Sequence, residues 1–181
     1  MHRRLPHFEK RDAACFVTWH LYRSLPARAI ADVWMPDGPK FVAVDGLLDA
    51  AAKGPRWLLS HEVAAALTSE LLRGEKDGQY ELGAFVLMPN HTHLIVRPKA
   101  TLPDSIAAIK ARTGRAANRV PGRSGPFWAR DYFDRGIRNR DEERQITRYI
   151  ENNPVKAGLC RTPEDWPWSS ARRGERRASL P

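Results

Sequence analysis

Two histidines one residue apart, His91 and His93, are the residues of this chain whose type and spacing most directly suggest chemistry. In an extended strand, residues two apart face the same way, so a strand over His91–Arg97 presents two imidazoles side by side with Thr92 turned away. That is a chelating arrangement, and imidazole binds zinc, manganese and other divalent ions well. Two ligands do not close a structural site. With one more protein group, water and substrate oxygens they make the open site that metal catalysis needs. Taken alone, an HxH on a strand also fits two half-exposed polar residues facing solvent. Here Leu94, Ile95 and Val96 continue the strand as core, which leaves the histidines at its mouth, next to a turn where water or a ligand could reach His91.

The second candidate is a tyrosine on a helix. Ile146, Tyr149, Ile150 and Asn153 recur at helical spacing, so Tyr149 and Asn153 share a face one turn apart. Periodicity alone reads this as a core stripe that includes a tyrosine. Pro154 disfavours helical geometry at Asn153, which places the amide at the helix end, free to turn toward a ligand. Chemistry gives the pair a joint use. A phenol with a pKa near 10 is a weak nucleophile at neutral pH, yet it attacks phosphorus if a metal polarises the phosphate oxygen. The product is an aryl phosphate that keeps the phosphodiester bond energy, which suits strand transfer better than digestion.

The elements that must position these groups read as follows. Cys15–Tyr22 alternates as a strand, closed by Pro26. Asp45–Lys53 reads as a short helix ended by Gly54-Pro55, and a second helix starts at the cap Ser60, buries Val63, Leu67 and Leu71, and gives out at Gly74 and Gly78. Tyr80–Met88 and His91–Arg97 form a hairpin about Pro89-Asn90. A helix from about Asp104 to Arg119 carries Ile106, Ile109, Thr113, Ala116 and Val120 on one side; FWARDYFDRGI (127–137) reads as a strand and Asp141–Asn152 as the last helix. This order predicts an α+β fold, with helices against one face of an antiparallel sheet. We read one domain over 1–170 and a basic, disordered tail over 171–181, where RRGERR lacks apolar periodicity.

Lys and Arg outnumber Asp and Glu by 30 to 21, a net charge of +9, and the pI is near 10.1, so a polyanion is the most economical partner. No apolar run approaches the roughly 18 residues of a spanning helix. The opening MHRRLPHFEKRD lacks an export signal, so a cytoplasmic, nucleoid-associated protein without membrane contact is expected. Cys15 and Cys160 form no CxxC and read as ordinary thiols. Arg112, Arg115 and Arg119, with Lys110, form a stripe that could track phosphates or simply be a solvated face. Arg130, Arg135 and Arg138 interleave with Trp128, Tyr132 and Phe133, a mixture suited to charge and base stacking, although some of these aromatics must be core. Trp166 and Trp168 read as packing residues.

MPNHTHLIV (88–96), RYIENNPVKAGL (148–159) and EDWPWSS (164–170) together resemble the IS200-type single-tyrosine transposases and, more narrowly, the REP-associated tyrosine transposases of bacteria. The resemblance runs from about Arg3 to Ser170 and takes in RRLPHF, FVTWHL and FWARDYFDRGIR. It implies a ferredoxin-like or RRM-like sheet, and a divalent ion, Mg²⁺ or Mn²⁺, on His91 and His93. It also implies attack by Tyr149 on a scissile phosphate to give a 5′-phosphotyrosine and a free 3′-hydroxyl. A polar residue one turn after the tyrosine completes the metal site in such proteins, which corresponds to Asn153 here. The implied substrate is single-stranded DNA folded into a hairpin, handled by a monomer or a homodimer, with Tyr149 serving its own chain's site or a partner's. A hairpin-binding module that has lost cleavage, and a hydrolase in which a metal activates water and Tyr149 is structural, are the competing readings.

Overall fold

The computed structural model describes residues 13–24, residue 46 and residues 54–172. The N-terminal RRLPHF stretch and residues 173–181 of the expected tail lie outside the described residues, as does the expected helix Asp45–Lys53 except for Gly46. The described strands and α-helices are β1 (Cys15–His20), α1 (His61–Lys76), β2 (Tyr80–Leu87), β3 (His91–Pro98), α2 (Leu102–Arg119), β4 (Phe133–Gly136) and α3 (Arg140–Lys156). The four strands form one sheet in the order β2-β3-β1-β4 with antiparallel pairing throughout. This is the expected antiparallel α+β architecture.

Alternation along the strands gives the sheet two apolar faces. Val17, Trp19, Phe85, Leu87, Leu94 and Val96 form one core with Val63, Leu67 and Leu71 of α1 and Ile106 and Ile109 of α2. Phe16, Val86, Met88, Ile95 and Phe133 form a second core with Ile150 of α3, against which Ile146 and Tyr149 pack. The expectation that all helices share one face is therefore corrected. α1 and α2 do, but α3 covers the opposite face, because Phe16, Ile95 and Phe133 make that face too apolar to leave in water.

Local chemistry sets the helix ends. Ser60 Oγ accepts from Val63 N and Thr101 Oγ1 from Asp104 N, so each helix begins on a side-chain cap. α2 starts at Leu102, two residues before the expected Asp104, and Val120 is exposed rather than on its buried side. Gly74 does not break α1. The helix continues to Lys76, and the glycine leaves room for Tyr80, whose hydroxyl donates to Leu71 O at 2.7 Å; a Cβ on Gly74 would lie 2.3 Å from that hydroxyl. In α3, Pro154 lies inside the helix, which continues with Ala157 N donating to Asn153 O. Asn153 is thus helical and buried, not at a loosened end. The proline forfeits one backbone bond near the C-terminus and is itself buried.

The expected strand over residues 127–137 is mostly loop. Leu21 pairs with Trp128 and Thr18 with Phe133, so four residues (129–132) lie opposite two (19 and 20), and the surplus loops out before β4. The outer edge of β2 is covered by the segment around Trp166 and Trp168. Leu87 N donates to Trp168 O at 2.9 Å, Trp166 Nε1 to Leu87 O at 2.8 Å and Phe85 N to Ser170 Oγ at 3.1 Å. Both tryptophans are packing residues, and they cap an edge that would otherwise invite pairing.

β2 carries a bulge between Leu82 and Phe85, where Gly83 and Ala84 oppose Ile95 alone. A Cβ on Gly83 would stand 2.9 Å from both Cβ and Cγ2 of Ile95, atoms that cannot swing aside. Gly83→Ala should lower stability by about 1–3 kcal/mol in urea unfolding, and less than additively when combined with Ile95→Ala. A second prediction concerns the docking of α3 at its N-terminus, where Arg135 and Arg138 share Glu142 and Arg97 bonds Glu143 at 2.6 Å. The hydrogen bonds from the Arg138 guanidinium hold the Glu142 carboxyl down at about 2, the Arg138 backbone N–H and the Arg135 charge adding to this and partial burial opposing. A depressed folded pKa stabilises above the unfolded value and is lost as pH falls through the folded one. The stability gap between the native chain and Glu142→Gln should be full above the ordinary value of 4.5 and close as pH falls to about 2, followed by denaturation midpoints across that range.

Candidate active site

His91 and His93 stand on the α3 face of β3, both with zero exposure, so the half-exposed reading of the pair does not hold. The expected accessible position of His91 beside the turn is likewise corrected. Buried imidazoles require partners for their ring nitrogens, and the sheet register provides them. Thr18 is the cross-strand partner of His93, and its Oγ1 lies 2.7 Å from His93 Nδ1. Asn90, at the hairpin turn, has Oδ1 2.7 Å from His91 Nδ1. With both Nδ1 atoms engaged, the two Nε2 atoms face each other at 3.1 Å.

Helix α3 brings the remaining residues to the same point. Asn153 is 1% exposed, and its Nδ2 is 3.4 Å from His93 Nε2; a half-turn of the amide presents Oδ1 there instead. The half-buried Tyr149 lies one helical turn earlier, its ring centroid 6.0 Å from that of His93. Phe16 locks the group, stacked on His93 at 5.8 Å and edge-on to Tyr149 at 6.3 Å. All four residues expected of the site, His91, His93, Tyr149 and Asn153, are therefore together, and Tyr149 stands beside the histidines of its own chain. Among the described residues, no third His, Cys, Asp or Glu joins the pair to form a metal-binding group.

The donor set suits a divalent ion. The His91 ring that donates from Nδ1 to Asn90 has only a lone pair on Nε2, and that lone pair points at the other Nε2. A cation or a proton could sit between them, with an amide oxygen at Asn153 as a hard third donor. Thr18 and Asn90 would fix ring orientation and tautomer from outside. Sequence reading passed over both, taking Thr18 as a plain strand residue and Asn90 as a turn former. It also passed over His20, which is the cross-strand partner of His91 on the same face, with Nδ1 2.8 Å from Ser24 Oγ and 3.0 Å from Leu21 O. Burial lowers the His20 pKa, against the Leu21 carbonyl, so this ring is held toward its neutral form.

The expected DNA-binding cations are not brought to this site as a group. Lys110, Arg112, Arg115 and Arg119 belong to α2, across the sheet. Lys110 is committed to the loop carbonyls of Arg130 and Asp131 at 2.8 and 3.2 Å, and burial lowers its pKa to about 8. Arg112 bonds the Glu70 carbonyl at 3.0 Å, the Glu70 carboxylate and Gln79, tying α2 to α1. Arg115 and Arg119 are exposed, as is Arg130. Arg135 and Arg138 hold Glu142. The aromatics set among them, Trp128, Tyr132 and Phe133, are all buried, with Trp128 Nε1 donating to Thr113 Oγ1, so they are unavailable for stacking on bases. No described helix is long and apolar enough to cross a membrane.

The chain is similar to known proteins in sequence and in fold. A REP-associated tyrosine transposase of Escherichia coli (strain K12) is 28% identical over 117 residues, covering 64% of this chain and 68% of that protein. In fold, the chain is similar to a solved REP-associated tyrosine transposase bound to a REP hairpin, with a TM-score of 0.66 at 19% identity over 99% of this chain and 89% of the other. The family model described as "Transposase IS200 like" matches residues 51–153, which include the histidine pair, Tyr149 and Asn153, and on that match the chain belongs to the IS200-like transposase family.

Proposed function

We propose that this protein is a metal-dependent endonuclease and strand transferase for single-stranded DNA carrying hairpins of the repetitive palindromic kind, acting through a 5′-phosphotyrosine on Tyr149. The observation that carries the reading is the convergence of Tyr149 with the facing Nε2 atoms of His91 and His93 in one chain. The hairpin substrate is supported by the similar transposase solved with a REP hairpin, and the polyanion by the net charge of +9.

His91, His93 and Asn153 would hold Mg²⁺ or Mn²⁺. When bound, that ion supplies polarisation of the phosphate oxygens and charge neutralisation. The chain's own residues do the rest. The Tyr149 hydroxyl oxygen attacks phosphorus, the P–O bond to the 3′ oxygen breaks, and the proton lost by the phenol is balanced by one taken up by the departing 3′ oxygen, leaving the DNA 5′ end esterified to Tyr149 and a free 3′-hydroxyl. Attack by a 3′-hydroxyl on the same phosphorus reverses the step and frees the tyrosine, which joins strands without spending a cofactor. Phe16 and Ile150 limit the freedom of the Tyr149 ring, so its hydroxyl need not be reoriented for each cycle.

With a hairpin-bearing single strand and Mn²⁺, a covalent protein–DNA adduct should form and resist denaturing electrophoresis. Tyr149→Phe should abolish the adduct while leaving hairpin affinity unchanged, and His91→Ala should suppress it. Adduct-free hairpin binding by the native chain would establish the binding-module reading, and full cleavage by Tyr149→Phe would establish the water-activating hydrolase. The supports behind the histidines give a separate readout. Thr18→Val and Asn90→Leu should each weaken Mn²⁺ binding about 10–100-fold, measured by titration without DNA. Unchanged affinity in both would remove Thr18 and Asn90 from the site.

A further inference from the structure

The helix that carries Tyr149 also carries a row of polar and cationic residues that the site does not use. Arg140, Arg144, Arg148, Asn152 and Lys156 follow one another at intervals of four, and all five are exposed. Each step of four residues rises about 6 Å and turns about 40° round an α-helix, so the row winds across α3 instead of running straight along it. It starts on the outward side at Arg140 and arrives on the flank of Tyr149 at Lys156. The contact confirms the winding, because Lys156 Nζ lies 5.1 Å from the Tyr149 ring centroid.

The carboxylates of α3 are largely spent elsewhere. Glu142 is held by Arg135 and Arg138, Glu143 by Arg97, and Glu151 accepts from Ser170 Oγ at 2.8 Å. Asp141 pairs with Arg144 within the row. No ion pair of this kind joins Arg140, Arg148 or Lys156 to another described residue. The outward surface of the helix is therefore a diagonal cationic track one side chain wide, with its lower end at the nucleophile.

We infer that this row is the binding track for the single-stranded segment next to the scissile phosphate, with successive phosphates on Lys156, Asn152, Arg148, Arg144 and Arg140. The inference rests on the reading of Tyr149 as nucleophile, since the phosphates adjoining the attacked one must lead away from that residue and this track begins there. A rise of about 6 Å per step of the row is comparable to the phosphate repeat of an extended strand. One polar or cationic side chain per step also matches one strand better than a duplex, whose two backbones present phosphates on both sides of a groove. The stripe on α2 does not compete for this role, because Lys110 and Arg112 are engaged and it lies across the sheet from Tyr149.

The test is the salt dependence of binding to two DNAs, a hairpin with a single-stranded flank and the same hairpin without it. For single strands the logarithm of affinity falls with the logarithm of salt by about 0.7 per phosphate contacted, so removing three contacts should make the slope shallower by about 2. The triple variant Arg140→Gln, Arg148→Gln, Lys156→Gln should show that loss on the flanked hairpin and none on the bare one. The charge-retaining variant Arg140→Lys, Arg148→Lys, Lys156→Arg should keep the native slope, which separates lost charge from lost structure. An unchanged slope in the Gln variant overturns the inference, as does an equal loss on the bare hairpin, which would assign the row to the duplex stem. Because binding is read without cleavage, an adduct on Tyr149 with an unchanged slope rejects the track alone, whereas a flank-specific slope change without any adduct rejects the nucleophile alone.

Discussion

Burying two imidazoles in an apolar sheet face is unfavourable unless their ring nitrogens are satisfied, and the pairing of β1 with β3 meets that demand. Thr18 opposite His93 and His20 opposite His91 set a polar end on a face that is otherwise Phe16, Ile95 and Phe133. A slip of one residue would turn every side chain of β3 over, sending both histidines into the core under α1 and α2 and Leu94 toward α3. Register is therefore the constraint on which the site depends. It is enforced from the far side of the sheet, where Leu94 and Val96 can be buried in only one phase.

The bulge in β2 works within the same constraint. With Gly83 and Ala84 opposite Ile95, Leu82 and Phe85 point to the same core despite their odd spacing, and Ala84, Val86 and Met88 turn to the α3 side. The extra residue fits only because Gly83 has no side chain to press on Ile95. Ile95 is two residues from His93 on the same face, so the packing that places the bulge also fixes the strand on which the histidines are mounted.

How much of this was legible follows from how far each signal reaches along the chain. The histidine pair and the Tyr149–Asn153 pair are local, set by the two-residue period of a strand and the turn of a helix, and both were recovered. The hairpin, the long helices and the antiparallel α+β order were recovered in the same way. The employment of the cations was not. Whether Arg112 meets phosphate or Glu70 is decided by a contact 42 residues distant, and Lys110 is occupied by carbonyls 20 and 21 residues away. Spacing along one helix contains no trace of either. Thr18 escaped notice for the same reason, because it lies 75 residues from the ring it supports. Pro154 misled in a different way, since a local preference against helix at Asn153 yielded to the burial of both residues.

The two faces of the sheet divide stability from chemistry. α1 and α2 bury the larger core on the face of the sheet opposite Tyr149 and the two site histidines, so the scaffold can be rigid without regard to substrate. α3 is held differently. At its N-terminus it rests on ion pairs that are partly open to water, and such pairs contribute about 0–1 kcal/mol each. At its C-terminal half it rests on Ile150, on Tyr149 against Phe16 and His93, and on Asn153 beside His93. The contacts that dock this half of the helix are thus largely the contacts that build the site. Anything bound between His91, His93 and Asn153 joins β3 to α3 and favours the docked helix by mass action. Occupancy of the site and the placement of Tyr149 are then two descriptions of one equilibrium.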